Sequence, residues 1–159
     1  MVSIHVSIEK LEWMPGSAKY GQVAIHEGKE IIQSAILSDR RKEGGGLALL
    51  SKVSPPPGKV VKIVAVSRSD EHVFNLEGGR GTKSGQPARG SGDYTLNSEG
   101  QVHSALIGTE TLSLVILSRR TGPEHIVRGY RCGPGCGGAL NLTPPHIAAD
   151  AAAAISPAA

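Results

Sequence analysis

Acidic side chains in separate polar stretches are the residues of this 159-residue chain with the clearest capacity for chemistry. Asp70 and Glu71 stand together after an apolar segment, while Asp39 and Asp93 lie in two other stretches. Calcium prefers oxygen ligands, largely carboxylates and carbonyls that loops present. Asp39, Asp70, Glu71 and Asp93 are therefore candidate ligands for a Ca²⁺ ion at the edge of a sheet, and no other cofactor is indicated.

The stretch 78–92 is rich in glycine and carries the basic residues Arg80, Lys83 and Arg89. Successive backbone N–H groups beside a lysine could bind a phosphate. The spacing of a phosphate loop is absent, however, because Thr82 rather than a glycine precedes Lys83, and the following Gly and Pro residues prevent a helix. Loops of this length are usually functional or mobile. We predict a flexible loop whose basic side chains contact a partner.

Cysteine and histidine give no strong metal signal. Cys132 and Cys136 are separated by three residues, not by the two of the usual oxidoreductase motif. A structural zinc site would need two further ligands, for which His125 and His146 are nearest. We expect free thiols first, a disulfide second and a metal third. The six histidines are scattered, and no two have the spacing of metal ligands.

Short strands are the elements that must position these residues. Residues 59–67 are mostly apolar and too few for an ordinary helix, which is typical of a strand covered on both faces. Residues 2–8 alternate apolar and polar with period two, which predicts another strand. Glu27 and Gly28 suit the tight turn of a hairpin, because glycine readily takes a positive φ.

Composition agrees with a β fold. The 21 Gly and 10 Pro residues require many turns and short elements. Aromatic residues make up only 3% of the chain, so the core must be built from Val, Ile, Leu and Ala. We predict an all-β antiparallel domain, a β-sandwich or jelly roll, over residues 1–131. Residues 132–159 are rich in Gly, Ala and Pro and predict an irregular C-terminal arm.

Charge and hydropathy exclude several classes of protein. The net charge of +3 is mild, and the basic residues are spread along the chain, which disfavours nucleic-acid binding. No run of 18 apolar residues is present, so no membrane span is expected. The first residues lack the pattern of a signal peptide, and we expect synthesis in the cytoplasm, either as free protein or as part of an assembled particle.

The sequence supports two functional hypotheses of different classes, with an enzyme of unrecognised class third. The first is a non-enzymatic structural subunit of a phage-like virion, capsid decoration or filament, because no G-x-S-x-G motif or other catalytic constellation is present. Its partners would be copies of itself or other structural subunits. The alternative is a β-sandwich that binds carbohydrate, Ca²⁺ or a lipid headgroup through loops 39–46 and 70–92. The residues predicted to form assembly contacts are Arg80, Lys83, Arg89, Arg131, Leu140, Leu142 and Ile147.

Overall fold

The computed structural model describes residues 5–81, 89–118 and 125–131. Within these ranges nearly all regular structure is β-strand, with one single-turn helix, α1 (Ser17–Tyr20), and a few short 3₁₀ turns. The strands are β1 (Met14–Pro15), β2 (Ile25–His26), β3 (Lys29–Glu30), β4 (Ile32–Asp39), β5 (Leu47–Val53), β6 (Val61–Ser67), β7 (Glu71–Glu77), β8 (Tyr94–Asn97), β9 (Val102–Ile107), β10 (Thr111–Leu117) and β11 (His125–Arg131).

Two antiparallel sheets form the body of the domain. The larger has six strands in the order β1-β4-β5-β10-β7-β8, and the smaller has three in the order β11-β6-β9. Strands β2 and β3 form a separate small hairpin. The prediction of an all-β antiparallel domain of the sandwich or jelly-roll type is confirmed. Residues 132–159, predicted as a C-terminal arm, lie outside the described residues.

Apolar clusters join the inner faces of the two sheets. Ile32 and Val53 of the larger sheet pack with Val61 and Ile107 of the smaller one. A second cluster belongs to the larger sheet and consists of Leu47, Leu49, Val73, Val115 and Leu117. Side chains alternate between the two faces of a strand. Every second residue counted from a cluster member therefore points inward on the same strand.

Two local predictions are confirmed. Residues 61–67 form β6, the central strand of the smaller sheet. Glu27 and Gly28 connect β2 to β3 with φ values of 49° and 76°. Positive φ at both central residues is the geometry of a type I′ hairpin turn, which matches the twist of the strands.

The predicted strand over residues 2–8 is wrong in its described part. No strand is found at residues 5–7, residues 8–10 form a 3₁₀ turn, and Val6 is exposed. The edge of the larger sheet is already taken by β1, where Met14 pairs with Ser34 of β4. A period-two pattern supplies an apolar face, but a strand also needs a neighbour whose backbone groups are free. No helix among the described residues is long and apolar enough to cross a membrane.

Candidate functional site

A row of polar side chains crosses the inner face of the larger sheet between its apolar residues. The register aligns Ser34 of β4 with Ser51 of β5, Ser51 with Ser113 of β10, and Ser113 with Asn75 of β7. Ser113 and Asn75 are buried. The Ser113 hydroxyl donates a hydrogen bond to Asn75 Oδ1 at 3.2 Å. Uncompensated burial of such groups is costly, so these contacts are needed for the row to be stable.

Arg80 enters the same interior just after β7. Gly78 turns the chain there with a φ of 75°, and a Cβ at this position would clash with the carbonyl oxygen of Glu110. Arg80 then donates from Nη2 to Ser113 Oγ at 2.8 Å. The next residue, Gly81, exchanges two backbone hydrogen bonds with Leu106 of β9, at 2.7 and 2.8 Å. This short segment therefore connects the two sheets and holds the guanidinium against the polar row.

Asn75 fixes the positions of Arg80 and Arg89. Its Nδ2 donates to the carbonyl oxygens of Gly78 at 3.0 Å and Gly90 at 2.9 Å. Both N–H groups of the Asn75 side chain therefore hold backbone carbonyl groups close to the arginines: Gly78 lies just before Arg80, and Gly90 directly follows Arg89. Asn75 is best described as a positioning residue, because its acceptor and donors are occupied within the chain.

A carboxylate and an imidazole from opposite sheets meet inside the fold. Glu71, at the start of β7, is buried, and its Oε2 lies 3.0 Å from His103 Nε2 on β9. The other ring nitrogen of His103 lies 3.2 Å from the carbonyl oxygen of Gln101. Because both partners are acceptors, both ring nitrogens must donate, as they do in the imidazolium form. Asn97 of β8 adds a hydrogen bond from Nδ2 to the same Glu71 oxygen at 2.8 Å.

The surroundings favour a charged His103. Burial alone would lower the pKa of His103, but the hydrogen bond to Glu71 and the charge of that carboxylate more than offset it, and the pKa is raised above the ordinary 6.5. Arg80 acts in the opposite direction on the same imidazole. Burial lowers the pKa of Arg80 itself, while Glu71 raises it and Arg89 lowers it. These groups form one electrostatic unit.

We call this group of side chains the interior polar cluster. It also includes Thr95 of β8, which accepts a hydrogen bond from Arg89 Nη1 at 2.5 Å. The members are Glu71, Asn75, Arg80, Arg89, Thr95, Asn97, His103 and Ser113.

The interior polar cluster does not fit a metal ion. Among the described residues, no group of three or more His, Cys, Asp or Glu side chains is placed to hold one. An oxygenase-type iron centre takes two histidines and one carboxylate, whereas this cluster offers His103 and Glu71 alone. The neighbouring inward positions of β6 supply no third ligand. Ala65, which lies opposite His103 in register, has no ligating group, and the hydroxyl of Ser67 is used in a hydrogen bond to Ser69 O at 2.7 Å. Two nearby guanidinium groups would further repel a cation.

The structure does not bring the four predicted calcium ligands together. Asp39 accepts two hydrogen bonds from the guanidinium of Arg41, which holds the pKa of that carboxyl at about 2. Asp70 accepts a backbone hydrogen bond from Glu99, and Asp93 accepts one from Gly90. Glu71 is committed to His103 and Asn97, as described above.

The predicted assembly residues have different placements. Arg80 and Arg89 direct their guanidinium groups to Ser113 and Thr95 on the inner face. Their predicted role in assembly stays a prediction. Arg131 ends strand β11. Lys83, Leu140, Leu142 and Ile147 lie outside the described residues, as do Cys132 and Cys136.

Sequence reasoning did not find His103, Asn97 or Ser113 as members of the site. Ser113 carried a usable signal, because a serine at an inward position interrupts an otherwise apolar strand. His103 carried no such signal, because its partner Glu71 is 32 residues earlier in the chain and only the sheet topology brings the two together.

Comparison with known proteins identifies the fold. No protein-family model matches the sequence, and no curated protein is similar to it. Similar solved structures include KdgF from Halomonas sp., with 15% identity, a TM-score of 0.52 and coverage of 77% of this chain and 97% of that one. An RmlC-like cupin from Shewanella frigidimarina has 11% identity, a TM-score of 0.54 and coverage of 76% and 95%. An acetylacetone dioxygenase from Acinetobacter johnsonii has 11% identity, a TM-score of 0.51 and coverage of 74% of each chain.

These likenesses establish a cupin-like fold and correct two predictions. The main prediction of a virion, capsid-decorating or filament subunit is wrong, because the named proteins that share the fold are cupins and a dioxygenase. The prediction that the chain is not an enzyme is wrong for the same reason, since this fold includes an enzyme. The alternative of a ligand-binding β domain agrees better with the fold. Self-association was not tested by these comparisons and stays a prediction.

Proposed function

We propose that the chain binds a small polar molecule between its two sheets, and that the Glu71–His103 pair exchanges a proton with this ligand without a metal ion. One observation carries the proposal. A buried carboxylate from β7 and an imidazole from β9 share a hydrogen bond of 3.0 Å inside a polar interior, where an apolar core would be expected. Ligand sites commonly place a few convergent polar groups among apolar side chains.

The chemistry of the pair is general acid–base catalysis. The Glu71 carboxylate can take the proton from an acidic C–H group of a bound ligand while the protonated His103 donates one to the adjacent carbonyl oxygen, and the reverse transfers restore both groups. The raised pKa of His103 keeps it protonated at a higher pH than usual, which suits the acid role. A positioned acid or base contributes about 10²- to 10⁴-fold to a rate. The reaction class would be proton transfer at a carbon next to a carbonyl or carboxyl group.

Neighbouring groups orient both members of the Glu71–His103 pair. Asn97 orients Glu71 through its hydrogen bond at 2.8 Å, and the Gln101 carbonyl orients the imidazole. The loops that we expected to bind the ligand contribute unequally. The loop 39–46 is occupied by its own ion pairs, Asp39 with Arg41 and Arg40 with Glu43. The stretch 70–92 supplies Glu71, Arg80 and Arg89 to the interior.

Binding and proton exchange test the proposal together. A panel of glucose, galacturonate, malonate and acetylacetone would be screened for a rise in melting temperature. Each compound would also be incubated with the protein in D₂O, and deuterium at its acidic C–H positions followed by NMR. Acetylacetone is included because a protein of this fold is an acetylacetone dioxygenase. We expect at least one compound to bind and to exchange faster with the wild-type protein.

A matched pair of variants assigns the exchange to the site. His103→Gln removes the interior imidazole and should abolish the acceleration. His72→Gln serves as the control, because His72 lies on the other face of β7, where its Nδ1 contacts the Tyr94 hydroxyl at 2.8 Å. Binding by no member of a broadened panel, or equal exchange in wild type and His103→Gln, would overturn the proposal.

A further inference from the structure

Arg80 and Arg89 lie opposite each other on neighbouring segments of the chain. The two residues form a hydrogen-bonded antiparallel pair, with Arg80 N donating to Arg89 O at 2.7 Å and Arg89 N donating to Arg80 O at 2.5 Å. Residues that are opposite each other in such a pair project to the same face, and like charges there are destabilising. Arg89 accordingly contributes to the lowered pKa of Arg80.

Neutral groups bind the far ends of both side chains. Arg80 Nη2 donates to the Ser113 hydroxyl, and Arg89 Nη1 donates to the Thr95 hydroxyl. Among the described residues, Arg80 Nε is buried and has no hydrogen-bond partner. A guanidinium offers five N–H donors in a planar fork, and any buried donor that has no acceptor is costly.

Within the interior polar cluster a single carboxylate, Glu71, faces the two positive charges, and it raises the pKa of Arg80 against the larger lowering effect of burial. Neither arginine forms an ion pair within the ranges that the structure describes. Glu71, the acidic member of the interior polar cluster, is already bonded to His103 and Asn97. With His103 protonated, the cluster carries more positive than negative charge in a half-buried region. Such a region attracts a mobile anion.

We propose that Arg80 and Arg89 together bind an oxyanion, so that the ligand of this chain is a small organic anion with a carboxylate or phosphate group. The inference rests on the proposed function and names its substrate class. Guanidinium groups recognise both oxyanions through paired, charge-assisted hydrogen bonds. The bound anion supplies the missing acceptor for Arg80 Nε and reduces the repulsion between the two arginines. The remainder of the ligand then extends toward the Glu71–His103 pair, which is electrostatically coupled to Arg80.

Titration calorimetry and thermal unfolding with defined probes test the inference. Malonate, inorganic phosphate and the neutral diamide malonamide would each be added at about 10 mM and low ionic strength. We expect malonate or phosphate to bind and malonamide to have no effect. Binding of malonate alone identifies a carboxylate ligand, and binding of phosphate alone identifies a phosphate ligand.

Three arginine variants assign the binding site. Arg80→Gln and Arg89→Gln should each weaken anion binding at least tenfold. Arg40→Gln is the control, because Arg40 is exposed and pairs with Glu43 at 3.0 Å, and it should bind as the wild type does. Without anion, Arg89→Gln should unfold at a temperature no lower than that of the wild type, since it removes a like charge opposite Arg80. The melting temperature of Arg89→Gln without anion therefore shows whether this arginine serves binding or stability. It can be measured even if Arg80→Gln does not fold.

Two results would overturn the inference. One is the absence of binding by either anion, and the other is equal stabilisation of all four proteins by both anions. If a neutral compound binds in a His103-dependent manner while malonate and phosphate do not, the oxyanion site is refuted but the proposed function stands. If nothing binds, both fail.

Discussion

Replacing Glu71 with glutamine should reverse the sign of the contribution that protonation of His103 makes to the free energy of unfolding. In the native protein the Glu71 carboxylate accepts hydrogen bonds from His103 at 3.0 Å and from Asn97 at 2.8 Å. Glutamine keeps the size and one acceptor oxygen for Asn97, but it loses the charge. A hydrogen bond to a charged group is worth about 1.5–3 kcal/mol. We expect Glu71→Gln to lower the free energy of unfolding by about this amount at mildly acidic pH.

The sign of the pH dependence follows from the two protonation states of His103. In the wild type the pKa of His103 is raised above 6.5. Its stabilising contribution is therefore fully present below 6.5 and is lost as pH rises through the raised pKa. In Glu71→Gln, burial and the charge of Arg80 remain and both lower the pKa of His103. The imidazole then destabilises the folded state as pH falls, so the difference between the two proteins is largest at low pH.

Urea unfolding at about pH 5.5 and about pH 8.5 measures this difference directly. An NMR titration of the His103 ring protons reports its pKa in each protein. Glu43→Gln is the matched control, because Glu43 is an exposed carboxylate paired with Arg40. Its loss should cost about 0–1 kcal/mol and leave His103 unchanged. The reasoning is refuted if Glu71→Gln costs the same at both pH values, or if His103 titrates as it does in the wild type.

Two further predictions concern the scaffold around the site. Arg41 holds the pKa of Asp39 at about 2, so this pair stabilises the protein above 3.8 and ceases to do so as pH falls through 2. Asp39→Asn should thus cost about 0.2–1 kcal/mol near neutral pH and progressively less as pH falls from 3.8 through 2, as measured by urea unfolding. An equal cost near neutral pH and near pH 2 would contradict the role of the pair. Gly46→Ala should lower the free energy of unfolding by about 1–3 kcal/mol, because its Cβ would clash with Leu117 O. Gly108→Ala meets only a side-chain methyl group at 3.8 Å, and equal melting temperatures of the two variants would contradict the clash.

The sequence was sufficient for the fold class because strand signals are local. Residues 61–67 are mostly apolar and rich in β-branched side chains, a pattern that favours a strand and that can be recognised within the segment itself. Gly28 favours a turn by backbone preference alone, and its positive φ confirms that turn. The strand predicted near the N-terminus failed because pairing is a long-range property. Its pattern could not reveal that β1 already occupies the edge of β4.

The site was predicted only in fragments, each with a different role. Glu71 was singled out as a calcium ligand, and Arg80 and Arg89 as assembly contacts. Their common location follows from β7 lying beside β8 and β10, and from the bridge between Gly81 and Leu106. Single-sequence patterns show which face of a strand is apolar, but not which strands will be neighbours. His103 could be recognised only after β9 was known to pair with β6.

The residues that stabilise this domain differ from those that are proposed to bind its ligand. Half-buried arginines that share one carboxylate with a histidine contribute little to folding and can oppose it. The stability must therefore come from the two apolar clusters that flank the polar row, one around Val53 and Val61 and the other around Leu49 and Val115. Between them Ser113 donates a hydrogen bond to Asn75 and accepts one from Arg80, which holds the arginine in place. An anion bound there would complete the interactions that the folded chain leaves unmade, so ligand binding should stabilise this protein more than its contact area alone suggests.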